Sequence, residues 1–300
     1  MWQITKMIQK VNKSKRLLGV IPAFLFILFF FIGGTVQAIL MSIGMLRGAL
    51  ILPQGERFAV YKELINERFF HSVGVTVGMA AVVAILSGVL GLLAAIYLAE
   101  KSYKWKWTQL IFHLPIGIPH LLAAYMFMQV FMQSGWISRL LFHLGLIDSM
   151  ERFPMLIHDE WGVGVILAYL WKEIPFMILL IYPFIVKLIS EWRDQAGLLG
   201  ATFPQQVRWI FIPLLVPLWV GGMWVVFAFV LAGYEIPALL ARTAFGSIPV
   251  IAWQEYTEFG LDRQPIAIAM NVILAVISLI VGFLLIYFQM KWYKQGRRLW

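Results

Sequence analysis

Two ionisable side chains in the middle of an apolar run are the first feature of this sequence that could do chemistry. Lys172 and Glu173 fall within the stretch from Trp161 to Val186, and a charge at membrane depth costs enough that it faces a bundle interior, a partner or a cavity. Adjacent residues on a helix do not face each other, so the two do not simply neutralise one another. Lining a solute path and pairing with other elements are both open to them. A second apolar run holds Pro115 and Pro119, with His120 beside them. Each proline removes a backbone donor, and irregular backbone in lipid is tolerated only where protein or a water-filled cavity lines it. His120 could touch a solute, although a hydrogen bond to a carbonyl freed by the prolines is the simpler role. Glu235 closes a third run, either as a gate or pathway residue or as a solvated carboxylate at a helix end.

Little else resembles reactive chemistry. There is no cysteine, which excludes disulfides, thiolate nucleophiles and cysteine metal sites, and the five histidines never pair with a carboxylate at metal-ligand spacing. His158, Asp159 and Glu160 are the one tight polar cluster. In an outward loop and without ligand spacing they read as solvated loop residues. No Gly-x-x-x-x-Gly-Lys-Ser/Thr run occurs, so any ATP is expected on another chain.

The elements that hold these residues are set by lipid. Of the 300 residues 61% are apolar and 13% charged, outside the usual shares of soluble domains. A spanning helix needs roughly 20 apolar residues, and six stretches qualify: Leu17 to Leu46, Val73 to Ala99, Gln109 to Gln133, Trp161 to Val186, Ile212 to Leu240 and Ile266 to Met290. The expectation is therefore an all-α polytopic membrane protein. The second stretch carries no charge and is rich in Gly, Ala and Ser, which suits a helix packed closely among neighbours. Lys13, Lys15 and Arg16 before the first stretch, and Val36-Gln37-Ala38 within it, resemble a cleavable signal, but the run continues to Leu46 and fits an uncleaved anchor better.

The formal charge of +9 belongs to the ends of these runs, as topology signals and lipid headgroup contacts rather than a nucleic-acid surface. Fifteen Lys and Arg residues, from Lys6 to Arg16, Lys101 to Lys106, Lys187 to Arg208 and Lys291 to Arg298, fall on one side of the membrane and eight on the other. The richer side is cytoplasmic by the positive-inside rule, which places both termini and the loop after the fourth span inside.

That loop runs from Leu188 to Pro213. Leu188, Trp192, Ala196 and Leu199 share a helical face, Gly200 permits a turn, and Pro204 suits the first position of a second short helix bearing Val207, Ile210 and Phe211. Two short helices with a bend on the membrane surface are expected. The spacing resembles the signature of membrane subunits of ATP-binding-cassette importers: a Glu-Ala-Ala triplet, a glycine four residues after its last alanine, and an Ile-x-Leu-Pro ending. Asp194, Gln195 and Ala196 occupy the triplet, Gly200 the glycine, and Ile210, Ile212 and Pro213 the ending. The departures are Asp for Glu, Gln for Ala and Ile for Leu.

The resemblance covers roughly Phe70 to Met290 and implies a type I importer permease fold in a bacterial inner membrane. In that family the loop docks on a separate ATPase and couples it to the spans. Leu114-Pro-Ile-Gly-Ile-Pro119 resembles the family's double-proline segment. Ala232-Gly-Tyr-Glu235-Ile-Pro237 and Ile248 to Tyr256 resemble the region before the last span in the subgroup handling polyamines, ferric iron, thiamine and phosphonates. The partners implied are ATPase subunits carrying ATP and magnesium, a second permease, identical or related, an extracytoplasmic substrate-binding protein and membrane lipid. Residues 1–69 then form an N-terminal span and outer loop, 70–290 the permease core with its coupling loop at 188–213, and 291–300 a basic cytoplasmic tail. The competing readings are an ion-gradient-driven secondary transporter, for which no internal repeat is evident, and a polytopic membrane enzyme.

Overall fold

In the computed structural model the chain is described over residues 2–46, 58–101, 105–242 and 245–296. Arg47 and Arg57, two of the eight basic residues on the poorer side, and Lys104, Arg297 and Arg298 on the richer side lie outside the described residues, as does the end of the 291–300 tail. The described residues form α-helices with short 3-10 and π turns and no strand. In chain order the helices are α1 (Trp2–Ser42), α2 (Ala59–Leu64), α3 (Glu67–Glu100), α4 (Trp105–Gly117), α5 (His120–Phe131), α6 (Trp136–His143), α7 (Val163–Leu198), α8 (Phe203–Gln206), α9 (Ile212–Leu231), α10 (Glu235–Leu240), α11 (Ile248–Thr257) and α12 (Gln264–Gly296). Five helical stretches are long and apolar enough to cross a membrane, and six if a bent pair counts as one span.

That bent pair lies in the Gln109 to Gln133 stretch, where the prolines were expected to make the backbone irregular: the chain turns by 103° between Leu110–Gly117 and His120–His143. Pro119 directly precedes α5. It fixes its own φ and pushes Ile118 out of helical geometry, so the ladder of α4 cannot pass through.

The chain divides into two compact units. One comprises Met1–Ile65 with Glu255–Val272. Its α1 buries nothing along its most apolar stretch, where Phe24, Phe26, Phe29, Phe30 and Phe31 all stand exposed, a surface suited to lipid. At the end of α1 the Tyr61 hydroxyl of α2 donates to Ser42 Oγ at 2.8 Å. Arg263 donates from Nε to Glu255 at 2.8 Å and from Nη1 to Glu63 at 2.6 Å, tying α2 to the turn between α11 and α12. These hydrogen bonds, first to Glu255 and then to Glu63, hold the Arg263 pKa above even the ordinary arginine range.

The other unit comprises Asn66–Gln254 with Ile273–Trp300. Asn66 caps α3 by accepting from the Phe69 N–H at 2.9 Å. The prediction that this uncharged, small-residue helix is enclosed holds: α3 packs against α7 and α9, and half of its most apolar stretch is buried, the largest share of any span. A side chain at Gly91 would meet Met177 Cβ at 2.4 Å, so the small residues let α3 and α7 approach closely. Trp219 donates to the Gly88 carbonyl at 2.8 Å and Trp224 to the Ser278 carbonyl at 3.0 Å, which fixes α9 against α3 and α12.

The His158 to Glu160 cluster is structural rather than merely solvated. Asp159 is buried and its carboxylate accepts from the backbone N–H groups of Trp161 at 3.0 Å and Val163 at 2.9 Å, occupying the donor-rich start of α7. His158 N–H donates to the Leu240 carbonyl at 2.9 Å, and Glu160 pairs with Arg242 at 3.2 Å.

Candidate functional site

The turn between α7 and α8 is built differently from the two short surface helices expected. Helix α7 runs without interruption to Leu198, and α8 passes through a π-helical turn at Val207–Phe211 into α9. The amphipathic segments are thus the ends of long helices, joined by residues 199–202. A 3.6-residue period marks a face but carries no signal for where a longer helix begins.

Gly200 has φ +81, a conformation that opposes any side chain. Around it Ala201 N–H donates to the Ala196 carbonyl at 3.0 Å and Gly200 N–H to the Gly197 carbonyl at 2.9 Å, the two bonds of a Schellman motif. The Ala196-to-Gly200 spacing is therefore the distance from the third-last helical residue to the left-handed one. Helix α8 begins at once, with Gln205 Oε1 accepting from the Thr202 N–H at 2.8 Å and Thr202 Oγ1 at 3.0 Å, a capping box. Pro204 sits at the second position of α8 rather than the first, where its missing N–H is equally harmless. The wide π turn comes directly before Ile212 and Pro213, and a proline here has no N–H to give to the ladder.

Inside the turn, the Gln206 side chain is buried and its Nε2 donates to the carbonyls of Ala201 at 2.9 Å and Arg193 at 3.4 Å. The Arg193 guanidinium lies 5.5 Å over the Phe203 ring. Both contacts lock the end of α7 to the start of α8. Of the signature positions, Ala196 is buried, Asp194, Gln195 and Gly200 are exposed, and Ile210, Ile212 and Pro213 are half-buried. Leu199 was expected to share a helical face with Ala196. Instead Leu198 and Leu199 are 90% and 89% exposed, because the chain leaves helical geometry at Leu199 and its side chain no longer follows the α7 face.

A second concentration of sequence-predicted residues lies where two helix breaks meet α7. Glu173 stands ten residues beyond the start of α7, about 15 Å along it, near the middle of a hydrocarbon layer about 30 Å thick. Lys172 is buried, and its ammonium donates to the Pro115 carbonyl at 2.9 Å and the Ile118 carbonyl at 2.5 Å. The carbonyl of residue 115 is the one an N–H at position 119 would have bonded, and Pro119 has none. The expectation that His120 takes the freed carbonyl is thus corrected: the long Lys172 stem reaches across from α7. His120 packs its ring 4.8 Å from Phe229, and its buried Nε2 has no partner.

Glu173 follows Lys172 directly on α7. It is 7% exposed, and among the described residues no hydrogen bond reaches its carboxylate. Tyr169, one turn earlier on the same face, is 1% exposed and its hydroxyl lies against the break between α9 and α10, where a Cβ at Gly233 would come within 2.1 Å of it. Glu235 opens α10, which packs against α5 and α7, and is exposed. Pro115 is buried within α4 and Pro119 exposed at the break. Sequence reading passed over Tyr169 and Gln206, although Tyr169 sits four residues before an intramembrane carboxylate and Thr202-x-x-Gln205 spells a capping box. It also missed Leu198 as an exposed residue, for which the sequence holds no signal.

The family described as "Binding-protein-dependent transport system inner membrane component" matches residues 87–296, which include both the turn and the break-lined cluster. The chain belongs to this family. The permease is 25% identical over 232 residues to the inner membrane ABC transporter permease protein YdcU of Escherichia coli K12, covering 74% of this chain and 73% of that one. It is 23% identical over 228 residues to the sulfate transport system permease protein CysT of Salmonella typhimurium LT2, covering 75% and 79%. Its fold is that of a solved bacterial ABC transporter involved in the import of the acidic polysaccharide alginate, with TM-score 0.74 at 18% identity over 95% of this chain and 99% of that one. The permease is an inner-membrane, multi-pass transport subunit of the type I importer class, and the secondary-transporter and membrane-enzyme readings are set aside.

Proposed function

We propose that the turn between α7 and α8 docks this permease onto a separate ATPase, and that ATP and magnesium are held there rather than on this chain. The observation that supports it is a pair of leucines, Leu198 and Leu199, held almost fully exposed at a locked turn. Exposed apolar side chains on a rigid, bent support fit an apolar cleft on a partner. In this reading closure of two ATPase subunits moves the turns of two permeases together, opens the spans outward to accept solute from a binding protein, and hydrolysis resets them. The surplus of Lys and Arg on the side of this turn supports a cytoplasmic placement for it and for both termini.

The test is to solubilise the tagged permease from its native membrane, alone and as Leu198→Asp with Leu199→Asp. Recovery of an ATPase and a second permease with the parent chain, and loss of the ATPase from the double variant, is the expected result. Recovery of the ATPase in equal amount with both proteins overturns the assignment of the turn.

A further inference from the structure

We propose that a cavity at the end of α7 opposite the Gly200 turn seats one phospholipid with a zwitterionic, ammonium-bearing headgroup. Its phosphate lies against Arg242 and His71, its ammonium against Glu160, and an acyl chain along α3.

The cavity, of about 490 Å³, lies between the first half of α3, the start of α7, and Arg242 and Phe245 beyond α10, all within one compact unit. Its lining is sorted by depth. His71, Glu160 and Arg242 stand exposed at the span ends, beside Trp161, which is 82% exposed. Charged and indole side chains belong at this level, where lipid headgroups lie. Deeper in, Gly74, Gly78 and Val82 of α3 make an apolar floor. From His71 to Val82 the cavity follows α3 for about 16 Å by its rise per residue. One hydrocarbon leaflet, half of about 30 Å, has the same depth.

The walls are held in place. The Ile248 N–H donates to Thr76 Oγ1 at 3.0 Å, fixing the start of α11 against α3. Gly162 has φ +70, and a Cβ there would come within 2.7 Å of the Phe245 ring, so the chain makes room for that ring. A Cβ at Gly74 or Gly78 would meet nothing within 4 Å. Gly91 lets α7 approach α3, whereas these two glycines leave a groove.

The charges at the mouth favour a zwitterion. Arg242 and Glu160 pair at 3.2 Å, but a guanidinium has five N–H donors and a carboxylate about four acceptor positions, so each keeps capacity for a ligand. Phosphate suits the guanidinium, and an ammonium suits the carboxylate. A purely anionic headgroup would set like charge beside Glu160. A helix of a second permease laid in the groove would bury the ion pair, at a desolvation cost that a hydrated headgroup avoids.

The test uses the full chain, recovered with its partners and reconstituted in vesicles of equal parts phosphatidylethanolamine and phosphatidylglycerol. A trace of one lipid or the other carries a diazirine on an acyl chain. After illumination, the phosphatidylethanolamine label should map to residues 71–82 and 161–166, and also to Phe283 and Leu284, which stand exposed on α12 and register ordinary lipid contact. Gly78→Leu fills the groove while favouring the helix. It should lower the label at the site about fivefold relative to that on α12. Glu160→Gln with Arg242→Gln should abolish the preference for phosphatidylethanolamine over phosphatidylglycerol. A site label indifferent to Gly78→Leu, or equal labelling of the parent by both lipids, overturns the proposal. So does label on α12 with none at the site, the outcome expected if a second permease or the binding protein fills the groove.

Discussion

Lys172 donates its ammonium protons to the Pro115 carbonyl, whose helical donor position is filled by Pro119. A side chain on one spanning helix thereby completes the backbone of another, 57 residues earlier. In lipid no water stands in for a missing donor, so the charge is retained at depth because it satisfies the carbonyls of Pro115 and Ile118 together.

Lys172→Met should therefore lower the stability of the purified permease by about 2 kcal/mol, read as a drop in melting temperature in detergent, and should abolish uptake. Lys172→Arg should recover part of both. An unchanged melting temperature in the Met variant would show that these carbonyls find other partners.

Gly200→Val should cost about 1–2 kcal/mol, since a β-branched residue resists the left-handed region, and Gly200→Asn clearly less. The informative readout is ATP hydrolysed per solute imported. If the turn couples the two, the ratio rises in the Val variant while the chain still inserts, and an unaltered ratio would argue that the left-handed turn has no part in coupling.

Gln206→Leu removes two donors that brace the turn and should weaken the grip between the end of α7 and the start of α8 by about 1 kcal/mol. Faster backbone hydrogen exchange confined to residues 193–206 is the signature, and uniform protection would contradict the bracing role.

The Arg263 network makes a prediction about pH. Its pKa is raised above the usual arginine value, so its contribution to folding is complete at every pH below that usual value and fades only as the pH climbs through the higher folded one. Replacing Arg263 by Met should cost under about 1 kcal/mol, because the side chain is 39% exposed. The difference between variant and parent should stay constant from about pH 6 to 9. A difference that changed with pH over that window would mean that another titrating group governs the contact.

Much of this was legible in the residues. Lipid forces apolar runs of fixed length, so the spans could be read off directly, and the Ala196-to-Gly200 spacing announced the turn because one motif of helix termination demands it. The partner of Lys172 was not legible: the pairing depends on how α7 lies against a break that sequence locates but does not orient. For the same reason His120, adjacent to the prolines in sequence, looked the better partner and proved to be turned toward Phe229 instead. Leu199 misled because its spacing fits the α7 face, while the Schellman motif takes the chain off that face at that residue.

The turn at Gly200 also has a mechanical side. Helices α7 and α9, the latter through α8 and the π turn, run unbroken from it into the bundle, and Tyr169 of α7 lies against Gly233 just past the end of α9. The two rods are thus pinned near both ends, about 40 Å apart along α7 by its rise per residue. Within this frame the places where a rod can give are its internal prolines, Pro175 and Pro183 in α7 and Pro217 in α9, so a push on the turn reaches the far pin as a change of angle to the extent that these positions hold straight.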